Sequence, residues 1–263
     1  MNRANRALFT WMIGAALFYA LDVIPIETGE AVLSTAYGIL FWFSLLLPRE
    51  SSRSRLFESF LIYMSSIVLG MMLGLCFNLR SRLGIYGFFM AYFHFSEFYW
   101  VSRVSGFPSF DSFLINHGKE YATAFTISMI EFHYSPISFF SPPLFIGVFL
   151  SSVGLVVRAC AMITAGSGFT HLIAKQKSHS HRLITHGIYS CIRHPGYSGW
   201  LIWVIGSQLI LGNFISLVLF TGITWKFFSE RIPYEEHLLV DFFGSAYTEY
   251  KDGTPISGVP FIS

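Results

Sequence analysis

The feature that most constrains this chain is a series of long apolar runs separated by short polar segments. Crossing the hydrocarbon core of a bilayer as a helix takes about 20 consecutive apolar residues. Candidate spans cover residues 7–25, 31–48, 57–79, 84–103, 110–132, 143–166, 198–211 and 213–228. Only 12% of the residues are charged, against about 25% in an average soluble domain. The pattern predicts an all-α integral membrane protein that forms one domain over residues 1–263.

The last two apolar runs are too short to be independent crossings. They meet at Gly212 and Asn213, which favours a short, tight helical hairpin and brings the prediction to about eight transmembrane helices. The first run continues past Asp22 and further spans follow it. We therefore expect a retained first helix rather than a cleaved signal peptide.

The distribution of Lys and Arg among the short loops predicts how the chain is oriented in the membrane. The basic residues of the second loop, of the segment between spans six and seven and of the tail are Arg49, Arg53, Arg55, Lys175, Lys177, Arg182, Arg193, Arg231 and Lys251. A cytosolic N-terminus places all of these on the cytosolic side and leaves Arg80 and Arg82 opposite. Because the two sizeable polar segments of that side, residues 171–193 and 230–263, flank the hairpin, we expect a cofactor site at the cytosolic face.

One motif, Arg193-His194-Pro195-Gly196-Tyr197, lies at the start of the hairpin. Pro195 fixes its own backbone angle and biases His194 away from helix, so a turn precedes the seventh span. The free backbone N–H groups at a helix start, together with the helix dipole, favour a negatively charged ligand. The alternative interpretation is an interfacial belt of aromatic and cationic side chains.

A second pair of candidates, Arg231 and Glu235, follows the eighth span and is four residues apart. On a helix this spacing puts both side chains on one face, where an exposed ion pair is the simplest interpretation. Pro233 lies between them and makes a regular, uninterrupted helix less favourable. Because Arg binds a carboxylate through two parallel hydrogen bonds and Glu binds a cation, the pair suits a ligand that carries both charges.

Three carboxylates, Glu97, Glu120 and Glu131, fall inside predicted spans. An acidic side chain at the membrane centre costs about 2.5–3.5 kcal/mol on insertion scales, so each needs a partner. We interpret them as interhelical hydrogen-bonding groups that hold the bundle together. A proton or ion path is the alternative.

The chain lacks the motifs of several other classes of protein. Its nine histidines include no HExxH, and its three cysteines include no CxxC, so we expect no metal. The Gly166-Ser167-Gly168 element follows a membrane span rather than a strand, which is the wrong context for a dinucleotide-binding loop. A formal charge of +2 without a basic run argues against nucleic acid as a partner.

From about Ala91 onward, the ordered series of motifs resembles the isoprenylcysteine carboxyl methyltransferases, and the first two spans resemble the eukaryotic eight-helix members of that family. The matching positions are 93–97, 116–117, 120–121, 161–162, 164–167, 193–195, 197, 199–200, 231, 235, 242–244, 247, 250 and 260–262. The Arg-His-Pro-x-Tyr turn alone is weak evidence, because other membrane methyltransferases and sterol reductases have a similar turn. The full series is specific.

The resemblance implies methylation of the C-terminal α-carboxylate of farnesyl- or geranylgeranyl-cysteine in CaaX-processed proteins such as Ras-like small GTPases. The implied methyl donor is S-adenosylmethionine, and S-adenosylhomocysteine is its product. The implied cofactor contacts are Gln176, His181, Arg182, Leu183, Ile184, Tyr189, His194, Pro195, Gly196 and Tyr197, with Glu235 holding the amino acid part. Arg231 would be the catalytic residue that binds the substrate carboxylate. The family also implies a multi-pass protein of the endoplasmic reticulum membrane that contacts lipid and faces its active site to the cytosol.

Several positions depart from the common pattern of the family. They are Gly168, Thr170, His186, Gly196 and Phe214. None of these departures removes a proposed contact side chain, but Gly196 and Phe214 would alter the angle of the hairpin.

Three alternatives share part of these features. A membrane sterol reductase shares the His-Pro-x-Tyr turn but uses a nicotinamide cofactor. Its site would need basic residues to bind the extra phosphate of that cofactor, and this chain has few. A phospholipid N-methyltransferase would use an amine nucleophile, which gives Arg231 no obvious role. A transporter without enzymatic activity is motivated by Glu97 and Glu120 in the predicted spans.

Overall fold

The computed structural model describes residues 3–19, 26–47, 54–78, 81–104, 108–115, 118–134, 141–177 and 181–262. This part of the chain forms nine α-helices and contains no β-strand. They are α1 (Arg3–Tyr19), α2 (Ile26–Ser44), α3 (Arg55–Asn78), α4 (Arg82–Val104), α5 (Lys119–Tyr134), α6 (Leu144–Ala165), α7 (Pro195–Leu211), α8 (Phe214–Phe243) and α9 (Ser245–Gly253). Each predicted span overlaps one of the first eight helices, so the prediction of an all-helical fold is confirmed.

Two of the described helical stretches, Arg55–Gly74 and Leu144–Gly168, are long and apolar enough to cross a membrane on their own sequence. The crossing of the bilayer by all eight spans stays a prediction. Predictions about several other residues lie outside the described part of the chain. These residues are Asp22, Arg49, Arg53, Arg80, Asn116 and His117.

The most extensive helix–helix contact joins α6 and α7. A β-carbon added to Gly154 would lie 2.6 Å from the Gly199 carbonyl oxygen, and one added to Gly199 would lie 2.6 Å from the Gly154 carbonyl oxygen. The same close approach recurs seven residues along each helix, at Gly147 and Gly206. Membrane helices use such small residues to bring backbones into contact where burial from water gives no driving force. These two glycine pairs therefore set the distance between α6 and α7.

The core is aromatic and centres on α4, which contacts α1, α3, α6 and α7. Phe93 stacks on Trp203 of α7 with ring centroids 4.1 Å apart, and Phe98 stacks on Phe113 at 4.3 Å. Phe93, Phe98 and Phe113 are all fully buried. These stacks fix α4 between the hairpin and the segment that precedes α5.

The predicted hairpin is present in α7 and α8. Gly212 adopts a left-handed conformation with φ of 77° at the end of α7, which a residue with a β-carbon would adopt only with strain. Asn213 follows it and is buried, and its side-chain nitrogen donates to the Ser128 carbonyl oxygen of α5 at 2.8 Å. The turn is thus held against α5 by a side chain as well as by its own geometry.

Glu131 is buried on α5 and caps the first turn of α8. Its two carboxylate oxygens accept the backbone N–H groups of Ile215 and Ser216, each at 2.7 Å. These N–H groups have no partner within their own helix, and a negative charge suits the positive end of the helix dipole. The interpretation of Glu131 as an interhelical hydrogen-bonding group is confirmed.

The start of α5 differs from the predicted span of residues 110–132. Residues Phe110–Phe113 form a 3₁₀ turn that ends at Leu114 in a left-handed conformation, and the α-helix begins only at Lys119. Glu120 consequently lies exposed in the first turn of α5, so its interpretation as a buried interhelical group is wrong. The error arose because an apolar segment packed under α4 has the same composition as the end of a span.

The last long helix also differs from expectation, because α8 runs unbroken to Phe243 through Pro233. Pro233 lies on the exposed side of the helix, while Ile232 and Glu236 are buried beside it. Tertiary contacts on the buried side therefore stabilise the helix against the loss of one backbone hydrogen bond. The expectation that Pro233 would interrupt the helix is wrong.

Arg82, one of the two basic residues left off the cytosolic side by the loop count, has a structural role. Its guanidinium donates to the carbonyl oxygens of Ile210 at 3.0 Å, Leu209 at 3.3 Å and Pro142 at 2.8 Å. The carbonyl groups of the last turn of α7 lack helical partners, and a cation at that end also suits the helix dipole. Arg82 is thus a cap for the hairpin at the turn.

Candidate active site

One cavity of about 950 Å³ connects the predicted site to the interior of the helical bundle. Its polar end lies at the start of α7 and beside the middle of α8, and a deeper apolar limb continues between α4, α5, α7 and α8. Residues that line the polar end include Arg158, His171, Arg182, Leu183, Ile184, Tyr189, Arg193, His194, Gly196, Tyr197, Arg231 and Glu235. Residues that line the limb include Tyr86, Met90, Phe125, Ile127, Trp203, Val204, Leu219, Phe220 and Ile223. The polar side chains of Ser207 and Gln208 also line the cavity, so a single ligand space has one charged end and one mainly apolar end.

Tyr197 joins the two charged candidates of α8. Its hydroxyl accepts a hydrogen bond from Arg231 Nε at 2.8 Å and donates one to the Glu235 carboxylate. The ring stacks between His194 and Phe228, with centroids 5.5 Å and 4.7 Å away. The sequence predicted that Arg231 and Glu235 share a helix face. The structure adds the tyrosine that holds both in place.

Arg231 keeps hydrogen-bonding capacity for a ligand. Besides its bond to Tyr197, its Nη2 atom donates to the His171 carbonyl oxygen at 2.9 Å. These bonds use two of the five N–H donors of the guanidinium, and the side chain lines the cavity. The Glu235 side chain is 28% exposed and also lines the cavity, so its carboxylate is accessible to a cation.

A second carboxylate, Glu236 of α8, connects the motif at the start of α7 to α8 and to α9. Its Oε1 atom accepts from Arg193 Nε at 2.8 Å and lies 3.1 Å from His194 Nε2, and its Oε2 atom lies 2.7 Å from Lys251 Nζ. Burial alone would raise the pKa of Glu236, but the hydrogen bonds from His194, Lys251 and Arg193 outweigh it and lower the pKa to about 2. Glu236 is therefore a charged structural centre beneath the site.

The segment that follows α9, residues 254–262, supports the site from the same side as Glu236. The backbone N–H groups of Arg193 and His194 donate to the carbonyl oxygens of Ile256 and Ser257 at 3.0 Å and 2.9 Å. The side chain of Arg193 adds a bond to the Thr254 carbonyl oxygen at 2.6 Å. The motif at the start of α7 is thus shaped by residues that follow α9.

A buried ion pair lies on the other side of the cavity. Glu97 of α4 forms a two-pronged pair with Arg158 of α6, in which Nη2 and Oε2 are 2.9 Å apart. His171 Nε2 lies 2.8 Å from the same Oε2 atom. The Arg158 guanidinium also lies over the Trp200 ring, 4.9 Å from its centroid. The interpretation of Glu97 as an interhelical group is confirmed.

The structure brings most of the predicted site residues together. Those that line the cavity are Arg182, Leu183, Ile184, Tyr189, His194, Gly196, Tyr197, Arg231 and Glu235. Three others do not line it within the described part of the chain. Gln176 is exposed, His181 lies beside Phe242 with ring centroids 6.0 Å apart, and Pro195 is buried as the first residue of α7. Pro195 thus shapes the turn, and cofactor contact by any of these residues stays a prediction.

Comparison with known proteins identifies the family. The model of the isoprenylcysteine carboxyl methyltransferase family matches residues 146–241. The protein-S-isoprenylcysteine O-methyltransferase of Schizosaccharomyces pombe is 39% identical over 224 residues, which cover 76% of this chain and 94% of that protein. The chain belongs to the isoprenylcysteine carboxyl methyltransferase family. Protein-S-isoprenylcysteine O-methyltransferase B of Arabidopsis thaliana is 44% identical over 181 residues, 65% of this chain and 89% of that protein.

The fold agrees with the same family over the whole chain. The solved structure of a eukaryotic intramembrane Ras methyltransferase of the isoprenylcysteine carboxyl methyltransferase type superposes with a TM-score of 0.82 and 31% identity. The match covers 100% of this chain and 99% of that one. The resemblance predicted from the motif series is thereby confirmed, and the helices that precede Ala91 belong to the same fold.

Three residues of the site escaped prediction, although two carried a signal. Arg158 is a charged residue inside a predicted span, and such a residue faces a partner or a cavity. Glu236 follows Glu235 directly but points to a different set of partners. His171 gave no local signal, since its contact with Glu97 joins positions 74 residues apart in the chain.

Proposed function

We propose that this protein is an enzyme that transfers the methyl group of S-adenosylmethionine to the C-terminal α-carboxylate of a prenylated cysteine and so forms a methyl ester. The observation that carries the proposal is the single cavity with Arg231 and Glu235 at its polar end and an apolar limb beyond them. Arg231 suits the substrate carboxylate, Glu235 suits the positive charge of the cofactor, and the limb suits the prenyl chain. The names of the relatives describe the same reaction.

The polar end fits S-adenosylmethionine. The Glu235 carboxylate suits the ammonium group of the amino acid part, and Leu183, Ile184 and Tyr189 provide apolar and aromatic surface for the remainder. When bound, S-adenosylmethionine supplies a methyl group that its sulfonium has already activated. The role of Gly196 and the N-terminal turn of α7 is to bring backbone close to this ligand, since Gly196 lines the cavity without a side chain.

The nucleophile needs orientation rather than activation. A C-terminal carboxylate has a reference pKa of about 3.5, so it is ionised near neutral pH without a general base. Arg231 presents its free N–H donors to this carboxylate, while its bond to Tyr197 keeps the guanidinium close to Glu235. Holding two reactants in line in this way can contribute about 7–11 kcal/mol to lowering the barrier.

The prenyl chain suits the apolar limb. Ile127 of α5 with Leu219 and Ile223 of α8 line the limb, and all three side chains are exposed. We infer from this exposure that the limb opens sideways between α5 and α8, where a chain that partitions into lipid can enter without crossing water. This arrangement explains why a small carboxyl methylation site would be built from membrane helices.

The alternatives from the sequence are less well supported. A phospholipid N-methyltransferase would bring a cationic amine to the side of the cavity that holds Arg231, where like charges repel. A transporter path would need a line of carboxylates through the bundle. Glu97 and Glu131 are engaged in structural bonds, and Glu120 lines the cavity only from the exposed first turn of α5. A sterol reductase shares only the turn, whereas the family match spans residues 146–241.

The proposal extends to the setting of the reaction. The start of α7 and the part of α8 around Arg231 and Glu235, which form the polar end of the cavity, lie on the side that the loop charges predict to be cytosolic. We propose a multi-pass protein of the endoplasmic reticulum membrane with eight spans, an active site on the cytosolic face and lipid around the helices. Its partners would be prenylated CaaX proteins, with Ras-like small GTPases as the example suggested by the related Ras methyltransferase.

The test is methyl transfer by the purified protein in detergent or lipid. Labelled S-adenosylmethionine and N-acetyl-S-farnesylcysteine are the probes, and base-labile label on the cysteine derivative is the expected result. A phosphatidylethanolamine substrate run in parallel tests the amine alternative. Cofactor binding without carboxyl methylation, or label on the lipid alone, would overturn the proposal.

A further inference from the structure

The buried Glu97–Arg158 pair is connected to both halves of the site. Arg158 Nη1 donates to the Gly196 carbonyl oxygen at 2.9 Å, which ties the pair to the turn on the cofactor side. Glu97 also holds the His171 ring at 2.8 Å, and the carbonyl oxygen of His171 accepts from Arg231 Nη2 at 2.9 Å. One ion pair thus reaches Gly196 by one bond and Arg231 by two.

We infer that His171 is a positioning residue for Arg231: its ring, held by Glu97, places its carbonyl oxygen so that the Arg231 guanidinium faces the substrate carboxylate. The inference rests on the proposed function. It assigns to His171 a role through Arg231 rather than a contact with the reacting atoms. Glu97 binds the His171 ring, and its ion pair with Arg158 fixes the position of the Glu97 carboxylate.

The surroundings of His171 show why the ring contact matters. The residue lies in an irregular segment after the 3₁₀ turn Gly166–Gly168, between the exposed residues Thr170 and Leu172. Its own side chain is only 18% exposed, and its ring meets Phe169 edge-on with centroids 5.6 Å apart. The ring is therefore the anchor of a segment whose neighbours face outward.

The geometry of arginine makes this placement consequential. The guanidinium is a planar fork, so the direction of one N–H bond fixes the directions of the others. Tyr197 and the His171 carbonyl oxygen hold Arg231 at Nε and Nη2, which sets the plane of the group. Loss of one of these two holds lets the fork rotate away from the carboxylate. A misplacement of about 1 Å at a reacting group can cost roughly 100-fold in rate.

The first experiment replaces the histidine in the full-length protein and follows methylation of N-acetyl-S-farnesylcysteine. His171→Ala is expected to lower kcat by roughly 10- to 100-fold while leaving the dissociation constant for S-adenosylmethionine unchanged. His171→Gln keeps an N–H donor for Glu97 and is expected to restore most of the lost kcat. His237→Ala is the matched control, because that histidine is 75% exposed and contacts Asp241 on the surface of α8. It should behave as the unmodified protein.

A double-mutant cycle tests whether the effect passes through Arg231. If it does, His171→Ala costs little further activity in an Arg231→Lys background, because the placement it disturbs is already lost. Additive losses in the cycle, unchanged kcat in His171→Ala or weakened cofactor binding in that variant would each overturn the inference. If His171→Ala does not fold, the comparison of His171→Gln with His171→Leu in the same cycle decides the question. Failure of the unmodified protein to methylate would instead count against the proposed function.

Discussion

The two ends of the α7–α8 hairpin contain buried polar groups that do different work. At the turn, Glu131 uses both carboxylate oxygens on backbone N–H groups of α8, and Arg82 donates to carbonyl groups at the end of α7. At the open end, Arg231 and Glu235 bond to Tyr197 but also line a cavity. A polar side chain of a membrane helix is thus structural where protein groups take up its hydrogen-bonding capacity. It belongs to a ligand site where it still has hydrogen-bonding capacity that faces a cavity.

The largest expected effect separates the two ends directly. Arg231→Ala removes the donor for the substrate carboxylate and should lower kcat by about 100- to 1,000-fold, as loss of a charge-stabilising donor does in other active sites. Cofactor affinity, measured by calorimetry in detergent, should be unchanged. Arg82→Ala removes an arginine at the turn end and should lower thermal stability with little change in kcat. Equal loss of turnover in both variants would contradict the distinction.

The next effect concerns the cofactor half of the open end. Glu235→Gln keeps the shape of the side chain but removes its charge, and hydrogen bonds to charged groups contribute about 1.5–3 kcal/mol. The dissociation constant for S-adenosylmethionine should therefore rise by roughly 10- to 100-fold. Calorimetry measures it, and Glu249→Gln on the exposed face of α9 is the control. Unaltered affinity in Glu235→Gln would remove Glu235 from the cofactor site.

A third variant sharpens the comparison from the structural side. Glu131→Gln retains one acceptor oxygen for the first turn of α8 but loses the charge that suits the helix dipole. We expect a loss of about 1–2 kcal/mol in stability, seen as a lower midpoint of thermal unfolding in detergent. KM and kcat of the folded protein should be unchanged. A changed KM for the prenylcysteine would instead place Glu131 in the site.

The smallest effect is the change in stability between neutral pH and pH 4 that Glu236 causes. Its pKa of about 2 in the folded protein is below the ordinary value of 4.5, so the stabilisation is complete above pH 4.5 and declines as the pH falls toward 2. At pH 4 the loss is only about 1 kcal/mol. Thermal unfolding of the unmodified protein and of Glu236→Gln should differ most at neutral pH and converge on acidification. A difference that stays constant down to pH 2 would contradict this role.

Several parts of the site could be predicted from local sequence. Pro195 and Gly196 predict the turn at the start of α7. The spacing of Arg231 and Glu235 puts them on one face of a helix. The exposed start of α5 could not be predicted in this way. The apolar residues of Phe110–Phe113 satisfy a composition test for a span, yet the left-handed Leu114 keeps them out of the α-helix. An apolar composition indicates that a segment is buried, whereas the backbone conformation decides where the α-helix begins.

By itself, the sequence determined the helical membrane character, the hairpin and the order of motifs, because apolar runs, proline and glycine act over a few neighbouring residues. Only the tertiary structure decided which polar groups meet. Glu97 and His171 are 74 positions apart and Arg193 and Glu236 are 43 positions apart. Both contacts join parts of the chain that only the packing of the helices brings together, as α6 and α7 are brought together at Gly154 and Gly199. Buried charges must find partners, but the packing of whole helices determines which partners are within reach.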